Sequence, residues 1–360
     1  MLSRLQSEPK LKFLVVGLGG IGQRHVRNLR TLYGDNIELL AFRTRGLGRV
    51  LTDRLEVEQG TDVVEKYGIR AFSDLDEALD QRPDAALICN PTSLHVPTAT
   101  EAAERGCHLF LEKPVAASME GVDELLKIVR EKKLTTLVGY QLRYHPAIRN
   151  VLKWVAAGRI GRILSVRAEV GEYLPGWHKY EDYRESYAAL ESLGGGVILT
   201  QIHEFDILYA LFGKLPHKLV TFGGKLSPLE VGVEDIASTL MEFEKDGLRV
   251  PVHLHQDYIQ RPASRNAQIL GESGKIRLDL TQTLAELYDF EGSIVEKVHL
   301  VDFQRNVMFL DLMKDFVEAV SGKSRPMVDL EQGVQSLKMA LSARESLQSN
   351  GRLRGQSSGQ

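Results

Sequence analysis

Short apolar runs alternate with amphipathic stretches along the first 140 residues of the chain. Continuous apolar runs of this length are typical of parallel strands covered on both faces, and the amphipathic stretches have helical spacing. Regular alternation of strand and helix predicts a parallel α/β sheet. The predicted strands are 11–17, 37–43, 85–90, 107–111 and 134–140, and the predicted helices are 21–32, 75–80, 95–105 and 119–132.

The pattern changes after about residue 145, where strand-like segments are separated by hairpin-type turns. Such spacing favours a large, mainly antiparallel sheet. The predicted strands are 163–170, 218–222, 237–243, 249–257, 267–270, 276–280 and 294–301, with helices at 146–157, 198–212, 307–320 and 330–348. The fold class is therefore α/β: a doubly wound parallel domain at 1–140, an α+β domain at 141–350, and a flexible tail at 351–360.

Composition narrows the functional classes. The 360 residues suit two domains, and 45 basic against 48 acidic residues give no reason to expect a nucleic-acid partner. No apolar run approaches the roughly 18 residues of a membrane span, and the N-terminus lacks the apolar core of a signal peptide. Cys89 and Cys107 form neither a disulfide framework nor a metal-ligand spacing. We expect a cytoplasmic protein without a metal site.

A glycine-rich turn, Gly17-Leu18-Gly19-Gly20-Ile21-Gly22, follows the first predicted strand and opens the first predicted helix. In this context Gly17 allows the tight turn, Gly19 lets a pyrophosphate approach the backbone, and Gly22 lets the helix pack on the strand. The helix N-terminus offers N–H groups to the phosphates. We predict a dinucleotide site, the alternative being an ordinary turn.

The residues after the second predicted strand bear on which dinucleotide binds. An acid is expected there to hold the ribose 2′-hydroxyl of NAD, but the chain has Arg43, Thr44 and Arg45. Guanidinium groups and a hydroxyl suit a 2′-phosphate, so the sequence favours NADP over NAD. The alternative is that both arginines are solvated loop cations.

Further polar segments follow later strands: Asn90–His95, Glu112-Lys113-Pro114, Gly139–Pro146 and Gly194–Asp206. Together with the glycine turn, they resemble the Gfo/Idh/MocA family of NAD(P)-dependent sugar and polyol oxidoreductases. The resemblance runs from about Lys10 to Gly351 and implies a Rossmann domain followed by a substrate domain. The most specific of these motifs is the Glu-Lys-Pro segment.

The resemblance implies that Lys113 is the catalytic acid/base, with His203 as its partner. A lysine desolvated in a cleft has a lowered pKa and can exchange the proton of a substrate hydroxyl. Thr200 stands where relatives carry an aspartate, and we expect Thr200→Asp to be tolerated. Asp206 could orient the imidazole of His203 or form a salt bridge elsewhere.

The resemblance also places several side chains at the cofactor, whereas His145 is equally compatible with the cleft or with the surface. The cofactor residues are Gly17, Gly19, Gly20, Ile21, Gly22, Arg43, Thr44, Arg45, Asn90, Pro91, Thr92, His95, Glu112, Lys113 and Arg143.

The substrate is expected to be a sugar derivative. Residues 176–188 are rich in aromatic side chains, which stack on sugar C–H surfaces or form an arm against a partner subunit. Arginines in the second domain, Arg265 among them, would suit an anion such as a nucleotide sugar, a sugar acid or a nonulosonate-pathway sugar. Candidate substrate residues are Tyr140, Trp177, Tyr183, Arg184, Asp206, Arg261 and Arg305.

The sequence thus favours an oxidoreductase that transfers a hydride between NAD(P) and a hydroxyl or keto group of a sugar derivative. Two alternatives stay open: a glycosidase that oxidises its substrate transiently, and a non-catalytic sensor of dinucleotide or sugar. The resemblance further implies a homodimer or homotetramer formed through the open face of the second sheet.

Overall fold

The computed structural model describes residues 10–44, 48–52, 56–177 and 181–349, together with the backbone of Arg354 and Gly355. The first domain contains eight strands and five helices within these residues. In chain order they are β1 (Leu11–Val16), α1 (Gly20–Tyr33), β2 (Ile37–Phe42), β3 (Arg49–Leu51), β4 (Val57–Asp62), α2 (Val63–Tyr67), β5 (Ile69–Phe72), α3 (Leu75–Leu79), β6 (Ala85–Ile88), α4 (His95–Glu104), β7 (His108–Leu111), α5 (Val122–Glu131) and β8 (Thr136–Val138).

Six of these strands form one parallel sheet in the order β5-β2-β1-β6-β7-β8. The strand order reverses direction at β1, which pairs with β2 on one side and β6 on the other. The carboxyl ends of β1, β6, β7 and β8 therefore meet at one edge, where open α/β sheets bind ligands. The predicted doubly wound domain is confirmed.

The sequence pattern missed one strand of this sheet and a small hairpin beside it. Strand β5 lies at the sheet edge, and Arg70 and Ala71 are exposed, so no continuous apolar run marks it. Strands β3 and β4 form a separate two-stranded sheet, and β4 reads Val-Glu-Gln-Gly-Thr-Asp with no apolar face. Edge and hairpin strands of this kind carry little burial signal.

The second domain contains a large, mainly antiparallel sheet and five helices within the described residues. Its elements are α6 (Pro146–Ala156), β9 (Ile163–Gly171), α7 (Val197–Thr200), α8 (His203–Phe212), β10 (Lys218–Gly224), β11 (Ile236–Lys245), β12 (Leu248–Asp257), β13 (Ser264–Gly271), β14 (Lys275–Asp279), β15 (Leu284–Tyr288), β16 (Ile294–His299), α9 (Asn306–Val320), α10 (Leu330–Gln348) and the two-residue strand β17 (Arg354–Gly355).

The nine strands of this sheet are ordered β16-β15-β14-β13-β9-β12-β11-β10-β17. Among the described strands, β9 and β12 form the one parallel pair of the sheet, and the other neighbours are antiparallel. The predicted antiparallel sheet is confirmed, although the sequence pattern missed β15. The helix predicted at 198–212 is wrong in one respect: it is interrupted at Gln201 and Ile202 and begins again at His203. That interruption frees the backbone carbonyl of Thr200.

The last two long helices pack against the first domain. The side chain of Asn306, at the start of α9, bonds both Arg24 and Asn28 of α1 at 3.1 and 2.9 Å. Ahead of α10, the carbonyl of Val328 accepts from the N–H of Val138 at 2.9 Å. These contacts fix the carboxyl edge of the first sheet against the second domain. None of the described helices is long and apolar enough to cross a membrane.

Candidate active site

The turn between β1 and α1 is closed on its inner side and open on its outer side. A Cβ atom on Gly22 would lie 2.0 Å from the carbonyl oxygen of Gly17, and Gly17 itself has a φ of +92°. A Cβ on Gly19 would meet nothing within 4 Å. The backbone therefore faces open space at Gly19, as a pyrophosphate requires.

The start of α1 suits an anion. The helix begins at Gly20, its N-cap residue Gly19 supplies no side-chain hydrogen bond, and its first turn contains no acidic residue. The N–H groups of Gly20 and Ile21 are therefore not capped by a side chain, and the helix dipole adds partial positive charge. These residues fit a dinucleotide pyrophosphate.

The loop after β2 starts next to this turn. The N–H of Gly17 donates to the carbonyl of Phe42 at 3.0 Å, which brings the backbone of the two strand ends together. Arg43 is half-buried and Thr44 is exposed, and neither position carries an acid. Arg45, the third residue predicted here, lies outside the described residues.

Each residue of the Glu-Lys-Pro segment is held by a different element. Lys113 donates from Nζ to the carbonyl of Thr200 at 3.1 Å, in the interruption between α7 and α8. The carboxylate of Glu112 lies 2.7 Å from Nε2 of His25 on α1. The carbonyl of Pro114 lies 2.8 Å from Nδ1 of His95. The segment is thereby fixed relative to both domains.

His95 links two of the predicted cofactor segments. Its Nε2 lies 2.8 Å from the carbonyl of Asn90, so one buried imidazole spans from the end of β6 to the Glu-Lys-Pro segment. Asn90 in turn donates from Nδ2 to Thr98 at 3.0 Å, while Pro91 and Thr92 form the turn into α4. The structure therefore brings these predicted residues together beside the glycine turn.

The environment of Lys113 favours its neutral form more than water does. Burial lowers the pKa of the ammonium group, and the guanidinium groups of Arg265 and Arg305 lower it further. The carboxylates of Glu112 and Glu204 act in the opposite direction. A lysine with a lowered pKa can both accept and return a proton near neutral pH.

His203 is buried near Lys113 but is not hydrogen-bonded to it. Its Nε2 lies 3.0 Å from the amide nitrogen of Gln141, and Tyr140 packs edge-on with ring centroids 5.8 Å apart. Burial, followed by the charges of Lys113 and the two arginines, lowers the pKa of His203 well below its usual range. The imidazole is therefore neutral at physiological pH. Within the described residues, Nδ1 has no hydrogen-bond partner.

Asp206 forms a salt bridge with Arg143 instead of orienting His203. Its carboxylate oxygens lie 2.6 and 3.0 Å from Nε and Nη2 of that arginine, and Ser336 donates to it at 3.3 Å. The ion pair is largely buried, with side-chain exposures of 11% and 1%. Arg143 and Asp206, predicted for cofactor and substrate, thus hold the loop after β8 to α8.

The hydroxyl of Thr200 is bonded to groups other than Lys113. The hydroxyl donates to the carbonyl of Gly196 at 2.9 Å and bonds the hydroxyl of Tyr258 in a buried position. An aspartate here would bury a carboxylate against a carbonyl oxygen, so the expected tolerance of Thr200→Asp does not fit this structure.

The predicted arginines differ in their surroundings. Arg265 donates to Glu204 at 2.7 and 3.1 Å, and Arg261 stacks on Tyr173 at 4.1 Å. Arg184 is exposed and paired with Asp182 and Glu230. Arg305, just ahead of α9, has no hydrogen bond or ion pair with any described residue, yet its charge reaches Lys113 and His203. Among the predicted arginines in the second domain, it is the exposed one whose charge reaches Lys113.

The aromatic segment is only partly described, since residues 178–180 lie outside the described ranges. Trp177 packs edge-on against Tyr258 at 5.4 Å, and the hydroxyl of Tyr183 accepts from the N–H of Glu230 at 3.2 Å. His145 accepts from the N–H of Ala147 and caps α6, and burial lowers its pKa to about 4. Its surface interpretation is thus replaced by a capping role.

Sequence reasoning missed two residues at this site, His25 and Gln141. His25 lies outside the motif segments, and Gln141 lies within the Gly139–Pro146 segment but was not assigned a role. His25 follows Gly22 by three residues and lies on the buried face of α1, and its helical spacing from Gly22 and Leu29 was the available signal. Gln141 is adjacent to Tyr140 and is buried. Among the described residues, no cluster of His, Cys, Asp and Glu could hold a metal ion.

Comparison with known protein families agrees with this geometry. The model described as "Oxidoreductase family, NAD-binding Rossmann fold" matches residues 11–140, and the GFO/IDH/MocA C-terminal domain matches residues 148–277. The chain belongs to the GFO/IDH/MocA family. It is an oxidoreductase whose first domain is an NAD-binding Rossmann domain, as the sequence motifs predicted.

Individual relatives are distant but cover most of the chain. Myo-inositol 2-dehydrogenase of Thermotoga maritima is 26% identical over 93% of this chain and 95% of its own length. The 2,7-anhydro-N-acetylneuraminate hydratase of Escherichia coli is 25% identical over 69% of this chain and 66% of its own. Among solved structures, the Bordetella pertussis WlbA dehydrogenase, in complex with NADH and UDP-GlcNAcA, covers 97% of this chain and 100% of its own at 21% identity, with a TM-score of 0.78.

Proposed function

We propose that this protein transfers a hydride between a nicotinamide dinucleotide and a hydroxyl-bearing carbon of an anionic sugar derivative. The observation that carries the proposal is the position of Lys113. Its amino group lies where the Glu-Lys-Pro segment of the dinucleotide domain meets the interrupted helix of the second domain, 3.1 Å from the carbonyl of Thr200. At this position a titratable group of the dinucleotide domain contacts the substrate domain directly.

Lys113 carries the proton in the proposed reaction. The bound nicotinamide supplies or accepts the hydride. In the oxidation direction, neutral Lys113 takes the proton of the substrate hydroxyl, and in the reduction direction its ammonium returns it. Its lowered pKa makes the neutral form more accessible than in a free lysine, and the carbonyl of Thr200 fixes the direction in which the amino group points.

His203 supplies a hydrogen bond in this proposal, because the lowered pKa leaves its ring neutral. The amide nitrogen of Gln141 donates to Nε2, so the ring proton lies on Nδ1, and that N–H has no partner among the described residues. A buried donor of this kind is costly unless a ligand completes it. We assign Nδ1 of His203 to the oxygen on the reacting carbon.

The substrate is assigned a negative charge because of Arg305. This arginine is exposed, its charge lowers the pKa of Lys113, and it forms no ion pair with a described carboxylate, although the charge of Glu172 acts on it. Arg265 is neutralised by Glu204, so Arg305 is the better anion ligand. The WlbA structure, which has the same fold, contains UDP-GlcNAcA and is consistent with an anionic sugar. A carboxylate or phosphate would pair with the guanidinium at two positions.

The cofactor is proposed to be NADP rather than NAD. The support is local: Arg43 and Thr44 follow β2 beside the glycine turn, where an acid would be needed to bind the ribose 2′-hydroxyl of NAD. The family model and the NADH bound to WlbA establish the class of cofactor and not this choice.

A panel assay tests the proposal. The purified protein is given NADP⁺ or NAD⁺ with neutral sugars, polyols, sugar acids and nucleotide sugars, and the absorbance of the reduced cofactor is followed. Turnover confined to anionic substrates, and reduced in Arg305→Ala, is the expected result. Turnover with neutral polyols that Arg305→Ala leaves unchanged would contradict the assignment of charge.

A redox-neutral reaction is the second candidate, and it rests on the E. coli relative, whose name is that of a hydratase. In such a reaction the substrate is oxidised and later reduced on the same cofactor. The same assay distinguishes the two candidates, because the substrate would then be consumed, as seen by mass spectrometry, without a net change in reduced cofactor. Binding without any conversion would instead favour a sensor.

A further inference from the structure

His25 and Glu112 form a buried pair directly behind Lys113. Nε2 of His25 lies 2.7 Å from Oε1 of Glu112, and the exposed fractions of the two side chains are 0% and 9%. The second carboxylate oxygen accepts the backbone N–H of Lys113 at 3.2 Å. A Cβ on Gly139, directly after β8, would lie 3.1 Å from Oε2 of Glu112, so the carboxylate fills the space beside that glycine. Its position is therefore fixed from three sides.

The surroundings of the imidazole show which member of the pair carries charge. The ring of His25 packs edge-on against Phe110, with centroids 4.8 Å apart, and near Phe309 at 6.3 Å. Its Nδ1 is buried and has no partner among the described residues. An imidazolium would leave a charged N–H unpaired there, which is far more costly than a lone pair. A neutral ring that donates from Nε2 to an ionised carboxylate satisfies the geometry, and the pair then has a net negative charge.

This negative charge has one nearby cation to act on. The groups around Glu112 are His25, Lys113, His95 and the buried thiol of Cys89. Those facing Lys113 besides Glu112 are Arg265, Arg305, Glu204 and His203, and Glu204 is already paired with Arg265. Glu112 is thus the carboxylate beside Lys113 that is not neutralised by an arginine among the described residues.

We propose that His25 is a positioning residue that holds Glu112 as an ionised, fixed carboxylate, and that Glu112 is the counter-charge of the Lys113 ammonium. The inference rests on the proposed function in one respect, the role of Lys113 as proton carrier. Burial and two arginines drive the lysine towards its neutral form, and the pair opposes them. The lysine can then be reprotonated in each catalytic cycle. In this arrangement α1 faces the proposed cofactor site at its N-terminus and, from its second turn, sets the charge at the catalytic segment.

The test measures the protonation of Lys113 directly. Competitive acetylation of the purified full-length protein across pH, read at the Lys113 peptide by mass spectrometry, gives the midpoint at which the amine becomes reactive. Glu112→Gln keeps the shape of the side chain and removes its charge. Loss of a nearby negative charge destabilises the ammonium, so the midpoint is expected to move to lower pH. The pH limb of kcat/KM moves in the same direction, whichever reaction direction is assayed.

Substitutions at His25 separate positioning from packing. His25→Leu removes the donor that fixes the carboxylate of Glu112 beside Lys113, so the Lys113 midpoint should move in the same direction as in Glu112→Gln. The double variant should shift no further than Glu112→Gln alone. His25→Gln restores an N–H at a similar distance and should return the midpoint towards that of the parent. Glu104→Gln, which removes an exposed carboxylate from α4, is the matched control and should leave the midpoint in place.

An unchanged midpoint in Glu112→Gln would overturn the counter-charge assignment, and this single variant decides the matter if His25→Leu does not fold. A parental midpoint in folded His25→Leu would overturn the role of His25. Because acetylation needs neither substrate nor turnover, it also separates this inference from the proposed function. If Lys113→Ala retained full turnover, the proposed proton carrier would be wrong, and the midpoint shift would still report on the pair.

Discussion

The dinucleotide cradle and the lysine site lie at the same edge of one sheet but are built differently. The cradle is made by backbone atoms of a single contiguous turn, Gly17–Gly22, in which the absence of side chains is the essential feature. The lysine site is made by side chains from distant segments, since Lys113 contacts the carbonyl of Thr200 and Glu112 contacts His25. The first can therefore be predicted from a motif, whereas the second depends on how the two domains pack.

The largest expected effect separates chemistry from binding. Lys113→Ala should lower kcat by about 10²–10⁴, the usual range for a general acid or base. Dinucleotide affinity should change far less, because in the proposed site the backbone of the glycine turn and α1 would bind the pyrophosphate. Steady-state kinetics and a fluorescence titration of the reduced cofactor measure the two quantities. Lys132→Ala, at an exposed position after α5, is the control. A parallel loss of affinity and kcat would mean that the two regions are not separable.

The next prediction concerns the free energy of unfolding. The loop beside the lysine site is held by a buried ion pair between Arg143 and Asp206, which is separate from the glycine turn of the cradle. Asp206→Ala leaves the guanidinium of Arg143, which is 11% exposed, without its carboxylate. Breaking such a pair from one side costs about 3 kcal/mol of unfolding free energy. Urea denaturation of the parent and the variant measures this loss of unfolding free energy. Asp182→Ala, whose partner Arg184 is solvent-exposed, should leave stability nearly unchanged.

The sequence predicted most of the fold for a physical reason. Buried parallel strands such as β1 and β6 are continuous apolar runs, whereas the edge strand β5 and the hairpin β3–β4 have no buried face that a pattern could reveal. Within the candidate site, the glycine turn could be predicted from the sequence because its function needs a local absence of Cβ atoms. The pairing of Asp206 with Arg143, and the hydroxyl of Thr200 facing Tyr258, depend on tertiary contacts that no local spacing specifies.

A smaller effect is expected at His203, because the ring is neutral and contributes a hydrogen bond and not a charge. His203→Asn should lower kcat by about 10-fold, the value of a single hydrogen bond to the reacting oxygen. The pH dependence of kcat should keep the transition that the parent protein shows, since we assign that transition to Lys113. Comparing the pH dependence of kcat in the two proteins is the measurement. Loss of this transition in His203→Asn would show that the histidine titrates in catalysis.

The last effect is on cofactor affinity and not on turnover, at the outer end of the cradle, where we propose that side chains contact the cofactor. If Arg43 and Thr44 bind a 2′-phosphate, the parent protein should bind NADPH more tightly than NADH. A charge-assisted hydrogen bond contributes about 1.5–3 kcal/mol, so the preference should be at least about 10-fold. Arg43→Asp should reverse it, because the new carboxylate repels the phosphate dianion and accepts from the 2′-hydroxyl of NADH. Thr44→Ala should weaken NADPH binding without improving NADH binding, and Lys132→Asp provides the same change of charge at a distant exposed position. Equal affinities in the parent would refute the NADP assignment. The proposed role of the glycine turn would be unaffected by that result, because NAD and NADP share the pyrophosphate that its backbone would bind.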